Sequence, residues 1–189
     1  MSAVAPVSFM DATMDKRKTT LLIIVAVTTA VIFAHSALPA ASSWAESGAI
    51  GSVFAPVLGR LHAGALGLLA GLGVDASGTL TYGVFVRKVA HLVEYGLLGA
   101  EGAVAMVLLT GMVRSPYLWT CLFAVLSVAV VDEFIQLLSG RTSSVADVLL
   151  DFCGGCFGIA IALGVAAVVL AVSARIGPSR NSGGANRAE

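Results

Sequence analysis

The chain has 189 residues, of which 58% are hydrophobic and only 12% charged, and its 11 Lys+Arg are balanced by 11 Asp+Glu. Soluble domains carry about 25% charged residues, so this composition, with a mean hydropathy of +0.95, excludes an ordinary cytosolic enzyme, a nucleic-acid binder with a basic face and a disordered chain. The length suits one domain, and zero net charge points to no polyanionic partner such as nucleic acid.

A bilayer span needs roughly 20 mostly apolar residues, because about 30 Å of hydrocarbon is crossed at about 1.5 Å per residue. Residues 1–15 read as a disordered tail, followed by a membrane domain over 16–176. Lys16-Arg17-Lys18 precedes the first span, Thr19–Leu38, which holds no charge. A basic start with small residues Ala40-Ala41-Ser42-Ser43 behind it also fits a cleaved secretory signal, but the apolar run is longer than a signal core and is expected to be retained.

Ser47–Val86 comes next. Its apolar part, Ala49–Gly73, contains Pro56, Arg60, His62 and many glycines. A central Arg costs about 2.5–3.5 kcal/mol on insertion scales, so this stretch is expected to form an interfacial or re-entrant hairpin ending in the turn Val74-Asp75-Ala76-Ser77-Gly78. The second span, Lys88–Met112, is interrupted by His91, Glu94 and Glu101. The third, Tyr117–Leu138, is clean until Asp132 and Glu133, and the fourth, Val145–Ser173, begins with Asp147 and Asp151. A second tail is expected over 177–189.

In lipid these spans must be helices, since only a helix satisfies its own backbone polar groups there. The fold class is therefore all-α: a polytopic membrane protein of four transmembrane helices. Seven basic residues (Lys16, Arg17, Lys18, Arg114, Arg175, Arg180, Arg187) fall on one side and four (Arg60, Arg87, Lys88, Arg141) on the other, which favours cytoplasmic termini.

Polar residues inside spans are expensive and call for a partner or a task. Lys88, His91 and Tyr95 lie at i, i+3 and i+7 on one arc of the second helix. Asp132 and Gln136 are i, i+4 neighbours on the third with Glu133 beside them, and Asp147 and Asp151 repeat that spacing on the fourth, with Gly154 and Gly158 continuing the stripe. Alternating topology puts these three helix ends on the same side, extracytoplasmic by the charge bias. The connection Ser139–Ser144 brings Arg141 between the acidic pairs, and Ser144 with Asp147 fits a helix N-cap with an acidic third residue. Gly154 and Gly158 would let a neighbouring helix approach closely. A polar nest of Lys88, His91, Tyr95, Asp132, Glu133, Gln136, Arg141, Asp147 and Asp151 is thus expected.

The ordered set Lys88-x-x-His91-x-x-x-Tyr95, Asp132-Glu133-x-x-Gln136, Arg141-x-x-Ser144-x-x-Asp147 and Gly154/Gly158 resembles the VanZ-like family of bacterial membrane proteins, over roughly Thr19–Ala174. The resemblance implies a small multi-pass protein of the bacterial inner membrane and cell envelope, in a family named for a member associated with low-level resistance to the glycopeptide teicoplanin. It implies no settled reaction. Two departures from the family pattern are Glu101, deep in the second span, and Asp151, where an amide is expected.

In a functional reading His91 is the candidate acid or base, with Asp132 or Glu133 as its acidic counterpart. Tyr95 would hydrogen-bond a headgroup, and Lys88 with Arg141 would grip an anionic one. The partner fitting that chemistry is a membrane lipid or lipid-linked cell-wall precursor. The alternatives are a membrane-embedded enzyme acting on a lipid-linked headgroup, so that catalysis stays open, and a scaffold for another membrane protein in which Lys88 and Arg141 merely neutralise the carboxylates. His91 with Asp132, Glu133 and Asp151 could instead ligate a divalent metal, but one histidine among carboxylates is a weak metal pattern, so no metal and no cofactor are expected. Glu101 is expected to be protonated or hydrogen-bonded between helices, and His35 and His62 to be interface residues. Cys153-Gly154-Gly155-Cys156 lies inside an apolar span, away from the exposed helix start that activates such thiols, and reads as small residues that ease packing.

Overall fold

Six helices follow in order: α1 (Phe9–Ser36), α2 (Ala40–Val53), α3 (Ala55–Gly71), α4 (Tyr82–Thr110), α5 (Ser115–Leu138) and α6 (Val145–Ile176). The computed structural model describes residues 9–110 and 115–176, and no strand occurs among them. Four helices are long and apolar enough to cross a bilayer, over Lys16–Ser36, Tyr82–Thr110, Pro116–Leu138 and Val145–Ser173. The four expected spans are all present. α1 already begins at Phe9, so residues 9–15 are helix rather than tail; once a helix is nucleated, each added residue gains a hydrogen bond at little further cost. The remaining tail residues, 1–8 and 177–189, lie outside the described residues.

Between the first and second spans, α2 and α3 form a pair bent by 103°. The break falls at Phe54 because Pro56, in the first turn of α3, has no N–H to continue the helix before it. With 14 and 17 residues, the arms reach about 21 and 26 Å, each short of a full crossing. A bent pair thus stands between the first and second spans, where an interfacial or re-entrant element is expected. α3 ends at Gly71, and Gly73, just past the Leu72 cap, takes a φ of 79° in the left-handed region that glycine enters without strain. Asp75 then closes the turn by accepting from the Ser77 amide (3.0 Å) and hydroxyl (2.7 Å), contacts that lower its carboxyl pKa.

α4 is the central helix, touching every other helix. Its tightest partner is α6, and small residues set that approach. A Cβ at Gly158 would run into the Gly96 carbonyl, one at Gly99 into the Gly155 carbonyl, and one at Gly154 would sit 2.7 Å from the Leu92 carbonyl. Gly154 and Gly158 therefore act as read from their spacing; the matching glycines Gly96 and Gly99 on α4 complete the contact. Ile32, Tyr95, Leu98, Val125, Ala129 and Ile159 form the buried core between α1, α4, α5 and α6. Large apolar residues such as Leu22, Val27, Phe123, Phe157, Val168 and Leu170 point outward, as lipid-facing surfaces require.

The hairpin docks on the start of α4. Tyr82 donates to the Gly51 carbonyl at 2.8 Å, and Trp44 lies under the Arg87 guanidinium at 5.3 Å. His62 bonds the Leu80 carbonyl at 2.7 Å and packs against Tyr82 and Phe85.

Candidate functional site

The start of α4, the end of α5 and the start of α6 meet at one end of the bundle, joined by the end of α1. The α5–α6 connection is shaped by its backbone. Gly140 takes φ 77°, its N–H donates to Leu137 O (3.2 Å), and the Arg141 N–H returns to Gln136 O (3.0 Å). That pair of bonds closes the helix and folds Arg141 back over its end.

At the start of α6, Ser144 Oγ accepts the Asp147 N–H at 3.1 Å and donates to Asp147 Oδ2 at 2.8 Å. The Ser144 N–H donates to Glu133 Oε2 at 3.1 Å. Glu133 thus fastens α5 to the N-terminus of α6, and Asp147 Oδ1 is left to pair with Lys88 Nζ. Ser144→Ala should cost about 1 kcal/mol, the usual worth of an N-cap hydroxyl, read as a small drop in thermal midpoint of the detergent-solubilised chain.

Deeper in, His91 Nδ1 stands 3.4 Å from Asp151 Oδ1 and 4.0 Å from Asp132 Oδ2. Asp132 is 0% and Asp151 1% exposed. Gln136 Nε2 donates to Asp132 Oδ2 at 3.0 Å, and Ser36 of α1 reaches the same carboxyl group. Tyr95 is wholly buried. Its hydroxyl, the Asp132 Oδ1 atom and both Asp151 oxygens have no hydrogen-bond partner.

Arg141 is buried, and its Nε has no partner. Burial, followed by the nearby Arg87 charge, holds its pKa below the ordinary value, while Asp132 and Glu133 pull the other way. Among the described residues neither arginine forms an ion pair. Both line a cavity of about 70 Å³ with Ser36, Ser43, Glu46, His91 and Glu94. A second void of about 10 Å³, room for one water-sized particle, is lined by Arg87, Lys88, His91, Glu133, Gln136, Asp147, Leu150 and Asp151.

All nine residues expected in the nest are therefore at this end of the bundle, but in three sub-groups. Lys88, Asp147 and Glu133 tie the helices together; His91, Asp132, Asp151, Gln136 and Tyr95 form the buried centre; Arg141 belongs to the larger cavity. Arg87, absent from the expected set, shares that cavity. His35 Nδ1 pairs with Glu94 Oε1 at 3.1 Å, and Thr28 Oγ1 donates to Glu101 Oε1 at 3.1 Å. Glu101 is thus hydrogen-bonded between helices, as expected, and Glu94 gains a partner that its own helix did not reveal. The signal for both was equal depth in adjacent spans. Cys121, Cys153 and Cys156 are free thiols.

A family model described as VanZ/LLP1 matches residues 20–169. No curated protein and no solved structure matches the chain.

Proposed function

The chain belongs to the VanZ/LLP1 family, and from that premise we propose that this multi-pass protein of the bacterial inner membrane binds the anionic headgroup of a lipid-linked envelope precursor. The observation that carries the reading is Arg141, buried, unpaired and sharing a polar cavity with Arg87. Two guanidinium groups so placed repel each other and are incompletely solvated. A phosphate between them relieves both costs at once, and guanidinium forks suit phosphate oxygens geometrically. The cavity lies where spans end, which suits a lipid headgroup, with apolar helix faces beside it for the acyl or prenyl chain. The charge bias read from the sequence supports an outward-facing cavity. Resistance to teicoplanin belongs to the same reading: a protein that holds the precursor changes what is available at the outer leaflet.

Purified full-length chain in nanodiscs should bind a polyprenyl pyrophosphate and not the corresponding polyprenol. Arg141→Ala should weaken that binding by about tenfold or more, since a hydrogen bond to a charged group contributes roughly 1.5–3 kcal/mol. Equal affinity for both lipids, or unchanged affinity in Arg141→Ala, would refute the reading. The placement of His91 between two buried carboxylates favours a second reading, an enzyme acting on the same headgroup. Product formed by the parent and not by folded, lipid-binding His91→Ala would establish it.

A further inference from the structure

Three side chains from three helices converge beneath the arginine cavity: His91 from α4, Asp132 from α5 and Asp151 from α6. Each offers a ligand-type atom, and these atoms all lie within 4.8 Å of one another. The two carboxylates are 0% and 1% exposed, and three of their four oxygens accept no hydrogen bond. Buried carboxylates left in that condition must be neutralised by a proton or a cation.

The spacing suits the cation. A proton shared within the group would draw donor and acceptor to about 2.5–2.9 Å. The His91 nitrogen instead stands 3.4 and 4.0 Å from the nearest oxygens of Asp151 and Asp132, outside good hydrogen-bond range. Ligand atoms each about 2.0–2.2 Å from a common ion are separated by roughly 3–4 Å. An independent observation is the Tyr95 hydroxyl. It is fully buried, has no partner, and the charges acting on it most strongly are those of Asp132 and Asp151. Gln136 holds Asp132 by one oxygen and leaves the other free, as outer groups do around metal ligands.

We propose that His91, Asp132 and Asp151 bind one divalent metal ion of the zinc or manganese class. An imidazole donor argues against calcium or magnesium, which take oxygen ligands. Three protein ligands leave a position open for water or an anionic oxygen. In the sequence, His91 with Asp132, Glu133 and Asp151 is only a weak metal pattern; the convergence of three helices singles out three of the four. The site stands whether or not the headgroup reading holds.

The test uses the full-length chain in detergent, without a polyhistidine tag, stripped with chelator and titrated with cobalt or zinc. One ion per chain is expected. The cobalt spectrum should show visible absorption typical of nitrogen and oxygen ligands and no thiolate charge-transfer band. Asp151→Asn should weaken binding by at least about tenfold, the smallest loss seen when even outer groups of a metal site are removed. The Cys153→Ser/Cys156→Ser double variant should bind as the parent does. No saturable binding, a thiolate band, loss of binding in the cysteine variant or full binding in folded Asp151→Asn would each overturn the proposal. If Asp151→Asn does not fold, the parent spectrum and the cysteine variant still decide. Lipid binding that persists in the stripped protein would leave the headgroup reading intact while the metal site fails.

Discussion

Gly158→Ala is expected to abolish the folded bundle, while Gly164→Ala on the same helix leaves it unchanged. The added methyl at 158 would occupy the space of the Gly96 carbonyl oxygen and lie 3.0 Å from the Ala100 nitrogen. Both obstacles are backbone, so no side chain can turn aside, and α4 and α6 would have to separate. Overpacking inside a core usually costs about 1–3 kcal/mol, and a contact between two main chains belongs above that range. Separation at Gly158 would also undo the approach one turn away, where Gly154 meets Leu92, and would loosen the frame that brings His91 to Asp151. In a bilayer the helices have little hydrophobic reason to associate, so close backbone packing carries more of the stability than in water. At Gly164 a Cβ meets nothing within 4 Å. Size-exclusion profiles and thermal unfolding in detergent check the pair: a Gly158→Ala protein that stays monodisperse and melts with the parent would refute this account of the α4–α6 contact.

The same helix pair shows what could be read from the amino-acid order. Apolar runs located the four spans because desolvated backbone leaves a chain no other structure there. Pro56 and Arg60 set Ala49–Gly73 apart from the straight spans, and a helix pair bent by 103° covers that stretch. Helical rise and alternating direction sufficed to gather Lys88, Asp132 and Asp147 at one end. Pairing across helices was not legible, because it depends on how each helix is rotated about its axis. Lys88 and Arg141 were equally good partners for the carboxylates. Lys88 pairs with Asp147, whereas Arg141, folded back by the Gly140 turn, forms no ion pair among the described residues. Thr28 and Glu101, 73 positions apart, find each other only because α1 lies against α4.

Tyr95 gives a second large effect and a more discriminating one. Tyr95→Ala should destabilise the chain by about 3 kcal/mol, the low end for removing a buried aromatic ring, because lipid already solvates apolar groups and mainly the packing part of the loss remains. The ring is 0% exposed and sits in the core with Ile32, Leu98 and Val125, so little can collapse into the space. Tyr95→Phe keeps the ring and removes only the hydroxyl. In chelator-stripped protein that hydroxyl is a buried donor facing carboxylates it does not bond, and its removal should leave stability unchanged or raise it by about 1 kcal/mol. With a metal ion on His91, Asp132 and Asp151, a metal-bound water becomes available to the hydroxyl, and the same substitution should cost about 1 kcal/mol and weaken metal binding. The sign of the Tyr95→Phe effect, measured by thermal unfolding with and without zinc, therefore depends on the load. The same sign in both conditions would mean that the hydroxyl plays no part in holding whatever the nest binds.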